Sequence, residues 1–262
     1  IPALREAVQQ KLQRENRLEF AVADIIIANG AKQVIFNAFA ATLNDGDEVI
    51  VPVPYWPTFP DSVRFNGGTP VFIECHLEQG YKLTPEQLAA STTSRTRWLV
   101  LNHPGNPSGA VYSTAELQAL AAVLRGHPQV LVMLDDLYEQ ILFDGCEHQN
   151  LLNVADDFQA RSLLVGGVSK TYAMTGWRIG FGAGPKALIT AMTVVQSQIS
   201  SGASSVSQAA ALAAFNGGLD FIAPQVAAYQ QRRDVITDIL VNIDGLELRV
   251  SQGGFFVFCR CA

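Results

Sequence analysis

The sequence predicts a three-layer α/β/α domain built on a mostly parallel sheet, followed by the start of a smaller, truncated α+β domain. Three observations predict it. Short apolar runs at residues 48–53, 97–101 and 130–134 alternate with segments of helical period, as strands joined by crossover helices do. The runs are apolar at almost every position, which suits strands covered on both faces. After a long helical segment at 221–243 the alternation stops. Two short strand patterns, 246–250 and 254–259, then follow as an antiparallel pair, so a second domain is expected to begin near residue 240, dividing the chain into 1–240 and 241–262.

Composition narrows the function. Of 262 residues, 48% are apolar and 16% charged, the balance of a globular chain. A net charge of −6 without any Lys/Arg run argues against nucleic acid. The apolar runs are too short to span a bilayer, and the first residues read as an amphipathic helix, not a signal peptide. The chain opens on Ile1 without a methionine and stops inside a strand pattern, so both ends of a longer protein are expected to be missing. The four cysteines form no C-x-x-C pair, C-x-C is a poor zinc spacing, and no H-E-x-x-H is present. No metal is expected, and the scattered cysteines fit a reducing cytoplasm. Of the four histidines only His103 draws notice, and a place on a loop surface is expected for it.

In chain order, residues 1–18 carry Leu4, Val8 and Leu12 at helical spacing, with Pro2 tolerable in the first turn. Residues 23–28 form a short strand that meets Asn29-Gly30-Ala31-Lys32 and a helix over 33–43. That joint offers free N–H groups and the positive end of a helix, a phosphate site or a plain strand–helix connection. Residues 48–53 form a strand ended by Pro54-Tyr55-Trp56-Pro57, whose aromatics fit a core or a flat ring's face. A strand over 69–74 and a helix over 84–90 precede the buried strand 97–101. The Asn102-to-Gly109 loop is rich in Pro, Gly and Asn, able to aim an amide, or simply a long turn before the helix 113–124 with its Ser113–Glu116 capping box. The apolar strand 130–134 ends in Asp135-Asp136-Leu137-Tyr138, where α/β proteins place ligand-binding carboxylates. Strands at 162–165 and 179–183, helices at 186–198 and 208–215, and a Ser/Gly loop at 200–207 complete the first domain.

The stretch 165–182, VGGVSKTYAMTGWRIGFG, organises the chemistry. Lys170 lies among small and apolar residues, where its ammonium loses hydration and its amine becomes a usable nucleophile. A Walker A loop fails twice, because Ser169 and Leu164 stand where glycines are required. A Ser/Lys pair fails because adjacent residues of an extended chain face opposite ways. A Gly180-x-Gly182-x-Gly184 dinucleotide fingerprint is interrupted by Pro185. What remains is an ordinary lysine or a Schiff-base lysine holding pyridoxal phosphate, with Arg178 on the phosphate.

The ordered set of Asn29-Gly-Ala-Lys32, Pro54-Tyr-Trp56-Pro57, Asn106-Pro-Ser-Gly109, Asp135-Asp-Leu-Tyr138, and Ser169-Lys170 followed by Gly176-Trp-Arg178-Ile-Gly180 resembles the class I/II aminotransferases. The run MTGWRIG resembles their bacterial aspartate aminotransferase branch most. The resemblance implies the fold type I architecture of pyridoxal-phosphate-dependent transferases and transfer of an amino group between an amino acid, aspartate as best guess, and a 2-oxo acid such as 2-oxoglutarate. It implies that Lys170 carries the cofactor and shuttles a proton, and that Asp135 pairs with the ring nitrogen. Tyr138 and Asn106 would bond the phenolic oxygen, and Trp56 would stack on the ring. Arg178 with the N–H groups around Gly30, Ala31 and Lys32 would hold the phosphate. Trp56 and Asn106 would also meet substrate. It further implies a homodimer with shared sites. Two departures stand out. Gly167 replaces a hydroxyl residue that many relatives carry, and no arginine matches the family's C-terminal arginine for the substrate α-carboxylate. A lyase, another aminotransferase specificity and a non-enzymatic sensor domain remain alternatives on the same fold.

Overall fold

The computed structural model describes residues 1–261. In chain order the elements are α1 (Pro2–Lys11), β1 (Ile25–Ala28), α2 (Ala31–Thr42), β2 (Glu48–Val53), α3 (Thr58–Phe65), β3 (Thr69–Glu74), α4 (Pro85–Ser91), β4 (Thr96–Asn102) and α5 (Thr114–Arg125). They continue with β5 (Leu131–Asp135), α6 (Leu151–Val154), β6 (Ser162–Gly167), β7 (Gly180–Ala183), α7 (Lys186–Ile199), α8 (Ser205–Asn216), α9 (Ile222–Leu240), β8 (Leu246–Leu248) and β9 (Cys259–Cys261). Seven strands form one sheet in the order β1-β7-β6-β5-β4-β2-β3. All neighbours are parallel except β7, which runs against both β1 and β6.

Strand alternation splits the core into two layers. Val49, Val51, Trp98, Val100 and Met133 face α2 and α7 with Val34, Phe39, Ile189 and Met192. Ile50, Leu99, Leu101, Val132 and Leu134 face α1, α5 and α8 with Leu4, Val8, Leu117, Leu120 and Phe215. These are the two covered faces that the apolar runs predicted, and burying each large side chain contributes about 1.5–3 kcal/mol. The layer partner of a residue at a strand end follows from the same parity. Asp135 therefore falls on the α2/α7 side and Asp136 on the other.

Some expected elements differ. The first helix stops at Lys11 and continues as a π-helical turn, Leu12–Asn16, closed by Arg17 in the left-handed region. Buried Lys11 explains the widening: its ammonium bonds Asn16 Oδ1 at 2.7 Å and pairs with Glu139. Helix α3, with Pro60 in its first turn, was not expected from the aromatic turn before it. The second strand of the small hairpin is Cys259–Cys261, not 254–259. Gly254 takes φ +72°, and Phe255 and Phe256 both pack edge-on against Tyr138, Phe255 with its other side exposed, which takes 254–258 out of extended pairing. Helix α9 is not cleanly amphipathic: Arg233 and Thr237 are buried, whereas Val235, Ile236 and Ile239 are exposed. The last residue of the expected second domain, Ala262, lies outside the described residues. Among the described residues no helix is long and apolar enough to cross a membrane.

Candidate active site

Strands β4 and β5 end level with each other and β6 runs on to Gly167: Asn102 is level with Asp135, and Asp135 with Val165. Their carboxyl-terminal ends open on a cavity of about 640 Å³, the place where an open α/β sheet binds ligands. Eight of the nine residues singled out in the sequence line it: Ala31, Lys32, Trp56, Asn106, Asp135, Tyr138, Lys170 and Arg178. The ninth, Gly30, stands directly behind Arg178.

The Gly30 turn and Arg178 form one unit. Gly30 has φ +81°, and a Cβ built there would lie 2.5 Å from Arg178 Nη2. Only glycine lets the guanidinium lie against the start of α2. Gly180 brings the two segments together, since a Cβ there would lie 2.3 Å from the Ala31 nitrogen. Arg178 itself adopts φ +55°, a conformation uncommon outside glycine, and its Nη1 donates to Thr175 O at 2.8 Å. The Gly30 N–H donates to Ala28 O at 2.8 Å, so Gly30 contributes space and not a donor. Helix α2 has no side-chain cap at its N-terminus, leaving its first N–H groups and positive dipole end beside Arg178. This is an anion cradle.

The other end of the cavity is acidic. Asp135 is buried, and its Oδ1 accepts only from the Leu137 N–H, at 3.4 Å. Burial pushes its carboxyl up to about 7; the Leu137 N–H opposes this, the Asp136 charge adds to it, and Lys170 opposes it. Between the two ends stands Lys170, its Nζ 5.6 Å from the Tyr138 ring centre and 5.4 Å from that of Phe255. Burial, reinforced by Arg178 and opposed by Asp135, lowers its pKa and enlarges the neutral-amine fraction. Burial, then the Asp135 charge, raises the Tyr138 pKa, so Tyr138 stays a phenol able to donate. Trp56 packs edge-on against Phe59, and the Lys32 ammonium lies 4.9 Å from its ring centre.

Asn102 also lines the cavity, though it was not singled out in the sequence. Its Nδ2 donates to Asp135 O at 3.0 Å and its Oδ1 accepts from the Asn106 N–H at 2.8 Å, tying the loop to the strand. The available signal was a polar residue ending an apolar strand. His103, expected on a loop surface, is instead fully buried, because its ring packs between Tyr112 and His148, near the end of the 136–150 segment.

These residues fit pyridoxal phosphate. A buried carboxyl held protonated near neutrality lacks a cation, which a protonated pyridine nitrogen supplies; the uncapped helix start beside Arg178 lacks an anion, which a phosphate supplies. A pH test follows for the cofactor-free protein. With its folded pKa near 7 and an unfolded value near 4, Asp135 holds a proton in the fold that the unfolded chain has lost. Its contribution to stability is therefore intact below about pH 4 and lost as pH rises through 7, by up to about 4 kcal/mol for three pH units. Asp135→Asn should flatten that part of a stability–pH profile measured by urea unfolding. An unchanged slope in the variant would show that another group is responsible.

Sequence and structure comparisons agree with this geometry. The family model described as aminotransferase class I and II matches residues 1–262. The chain is 49% identical to a probable aspartate/prephenate aminotransferase of Rickettsia bellii and 49% identical to an aspartate aminotransferase of Rhizobium meliloti, over all of this chain in both cases. It covers 65% and 64% of those proteins, so it spans about two-thirds of their length. The crystal structure of the aspartate aminotransferase from Rhizobium meliloti superposes with a TM-score of 0.98 at 48% identity, covering 99% of this chain and 65% of that one. An aspartate aminotransferase from Thermus thermophilus with maleate gives 0.93 at 40% identity, covering 98% of this chain and 66% of that one. On fold, motif order and these matches together, the chain belongs to the class I and II aminotransferases.

Proposed function

We propose that this chain is the cofactor-binding part of a pyridoxal-phosphate-dependent aminotransferase, moving an amino group between aspartate and a 2-oxo acid such as 2-oxoglutarate. The observation that carries it is one cavity with an anion cradle at one end, a buried carboxyl at the other and a lysine amine of lowered pKa between them. Bound pyridoxal phosphate supplies an electron sink for the charge left when a proton leaves the substrate Cα. Arg178 and the N–H groups of Ala31 and Lys32 grip the phosphate, while Gly30 lets them converge. Asp135 would pair with the ring nitrogen and favour its protonated form. Tyr138 and Asn106 would hydrogen-bond the phenolic oxygen, and Trp56 would cover the ring and meet substrate with Asn106. Lys170 would be the residue that holds the cofactor, and its amine, more often neutral because burial lowers its pKa, would serve as general base for the substrate Cα proton.

We also infer two domains meeting near residue 240, where α9 gives way to the separate β8–β9 sheet, and a cytoplasmic location, since all four cysteines are free thiols. A homodimer is proposed on the exposed apolar hollow beside Arg178, lined by Phe36, Phe65 and Ile199.

Purified protein with its cofactor should change absorbance when aspartate is added, and more slowly with aspartate deuterated at Cα. Silence towards every common amino acid would overturn the transaminase reading. Sedimentation of the same sample at micromolar concentration should show a dimer; an active monomer would remove that part.

A further inference from the structure

Behind Asp135, on the opposite face of the sheet, lies a second concentration of chemistry. Asp136, His103 and His148 place one ligand atom each within 4.8 Å of one another. His103 is completely buried, and neither of its nitrogens has a partner. His148 Nε2 forms an ion pair with Asp136 Oδ2 at 3.1 Å without the alignment of a hydrogen bond, and His148 Nδ1 has no partner. Asp136 Oδ1 is also unpartnered, while Asn150 bonds the other oxygen. Of the eleven buried side-chain polar atoms without a hydrogen-bond partner among the described residues, five belong to these three side chains. Buried polar atoms are rarely left so, and five in one place call for a common partner.

We propose that His103, Asp136 and His148 bind a divalent transition-metal cation of the zinc class. Two imidazoles and a carboxylate are a zinc donor set, with a fourth position left for water. The ring centres of His103 and His148 are 4.7 Å apart, close to the roughly 5 Å expected for two imidazoles on one ion with metal–nitrogen bonds of about 2.1 Å. Closing the widest ligand spacing to the roughly 3.4 Å of a tetrahedral site needs less than about 1 Å of movement from each side chain. Asn150 supplies the outer contact that orients the ligating carboxylate. An entry path exists: His148 also lines a broad polar recess carrying Glu15, Glu139 and Glu147. The ion would cross-link the 102–109 loop and the 144–150 segment to the residue following Asp135. The proposal does not depend on the reaction run on the other face.

The probe is zinc itself. Protein stripped with a chelator, given one equivalent of zinc and desalted should keep one zinc per chain. Diffraction at the zinc edge should place the anomalous peak among the three side chains. His148→Ala and His103→Ala should each weaken binding by at least about 100-fold, more than an outer-shell loss costs. Cys259→Ser with Cys261→Ser should not weaken it. Retention far below one equivalent, a peak elsewhere, or equal affinity in both histidine variants would overturn the proposal. Should either histidine variant fail to fold, the anomalous peak in the unaltered protein decides alone.

Discussion

Lys170→Ala is expected to lower turnover by more than about 10⁴-fold, because under the proposed function it would remove a covalent attachment and a general base that alone contributes up to about that factor. The structure sharpens the reason. No other lysine sits between the anion cradle and the buried carboxyl: Lys32, the other lysine lining the cavity, rests over Trp56 at the cradle end. Borohydride reduction of the loaded protein followed by peptide mapping should place the label on the peptide containing Lys170. The variant should still retain cofactor without covalent attachment, because Arg178, the start of α2 and Asp135 are untouched. A label on Lys32 or Lys186, or a Lys170→Ala protein with ordinary turnover, would refute the assignment.

Asp135→Asn should cost turnover about 10²- to 10⁴-fold, the equivalent of the 3–5 kcal/mol lost when a buried charge pair loses one member. Cofactor should still bind, since the phosphate end is unaltered. Asp136→Asn should act differently. It leaves the cavity intact but strips the partner from buried His148, so it should lower the unfolding midpoint while the folded fraction keeps most of its turnover. The decisive comparison is turnover per folded molecule in the two variants. If Asp136→Asn is the more damaging there, the two carboxylates exchange roles and the strand-end parity has been misread.

That parity shows how far the sequence could be read. Alternation along a covered strand is a local property, so Asp135 and Asp136 could be assigned to opposite sides from their neighbours alone. The Ser113 cap was equally local and appears as expected, with Ser113 Oγ accepting from the Glu116 N–H. The cavity residues could be gathered because several short motifs fell in one order along the chain. The His103–Asp136–His148 cluster could not, because its members lie on separate loops that only tertiary folding brings together. Asn102 was missed because its work is to bond backbone on a neighbouring strand. The shifted hairpin was missed because Phe255 and Phe256 are good strand formers diverted by long-range packing on Tyr138.

The insertion of β7 between β1 and β6 has a consequence for how the protein is made. Ile25 pairs with Ala183 and Ala28 with Gly180, so among the described residues β1 has one sheet neighbour, far downstream. On the ribosome, β1 and the Gly30 turn emerge early and must wait unpaired until residue 183 has left the exit tunnel. The parallel strands β2 to β6 can associate before that moment; the phosphate cradle cannot. Under the proposed function, cofactor capture would be tied to near-completion of the sheet, and a nascent chain halted before β7 would not bring Arg178 against the Gly30 turn.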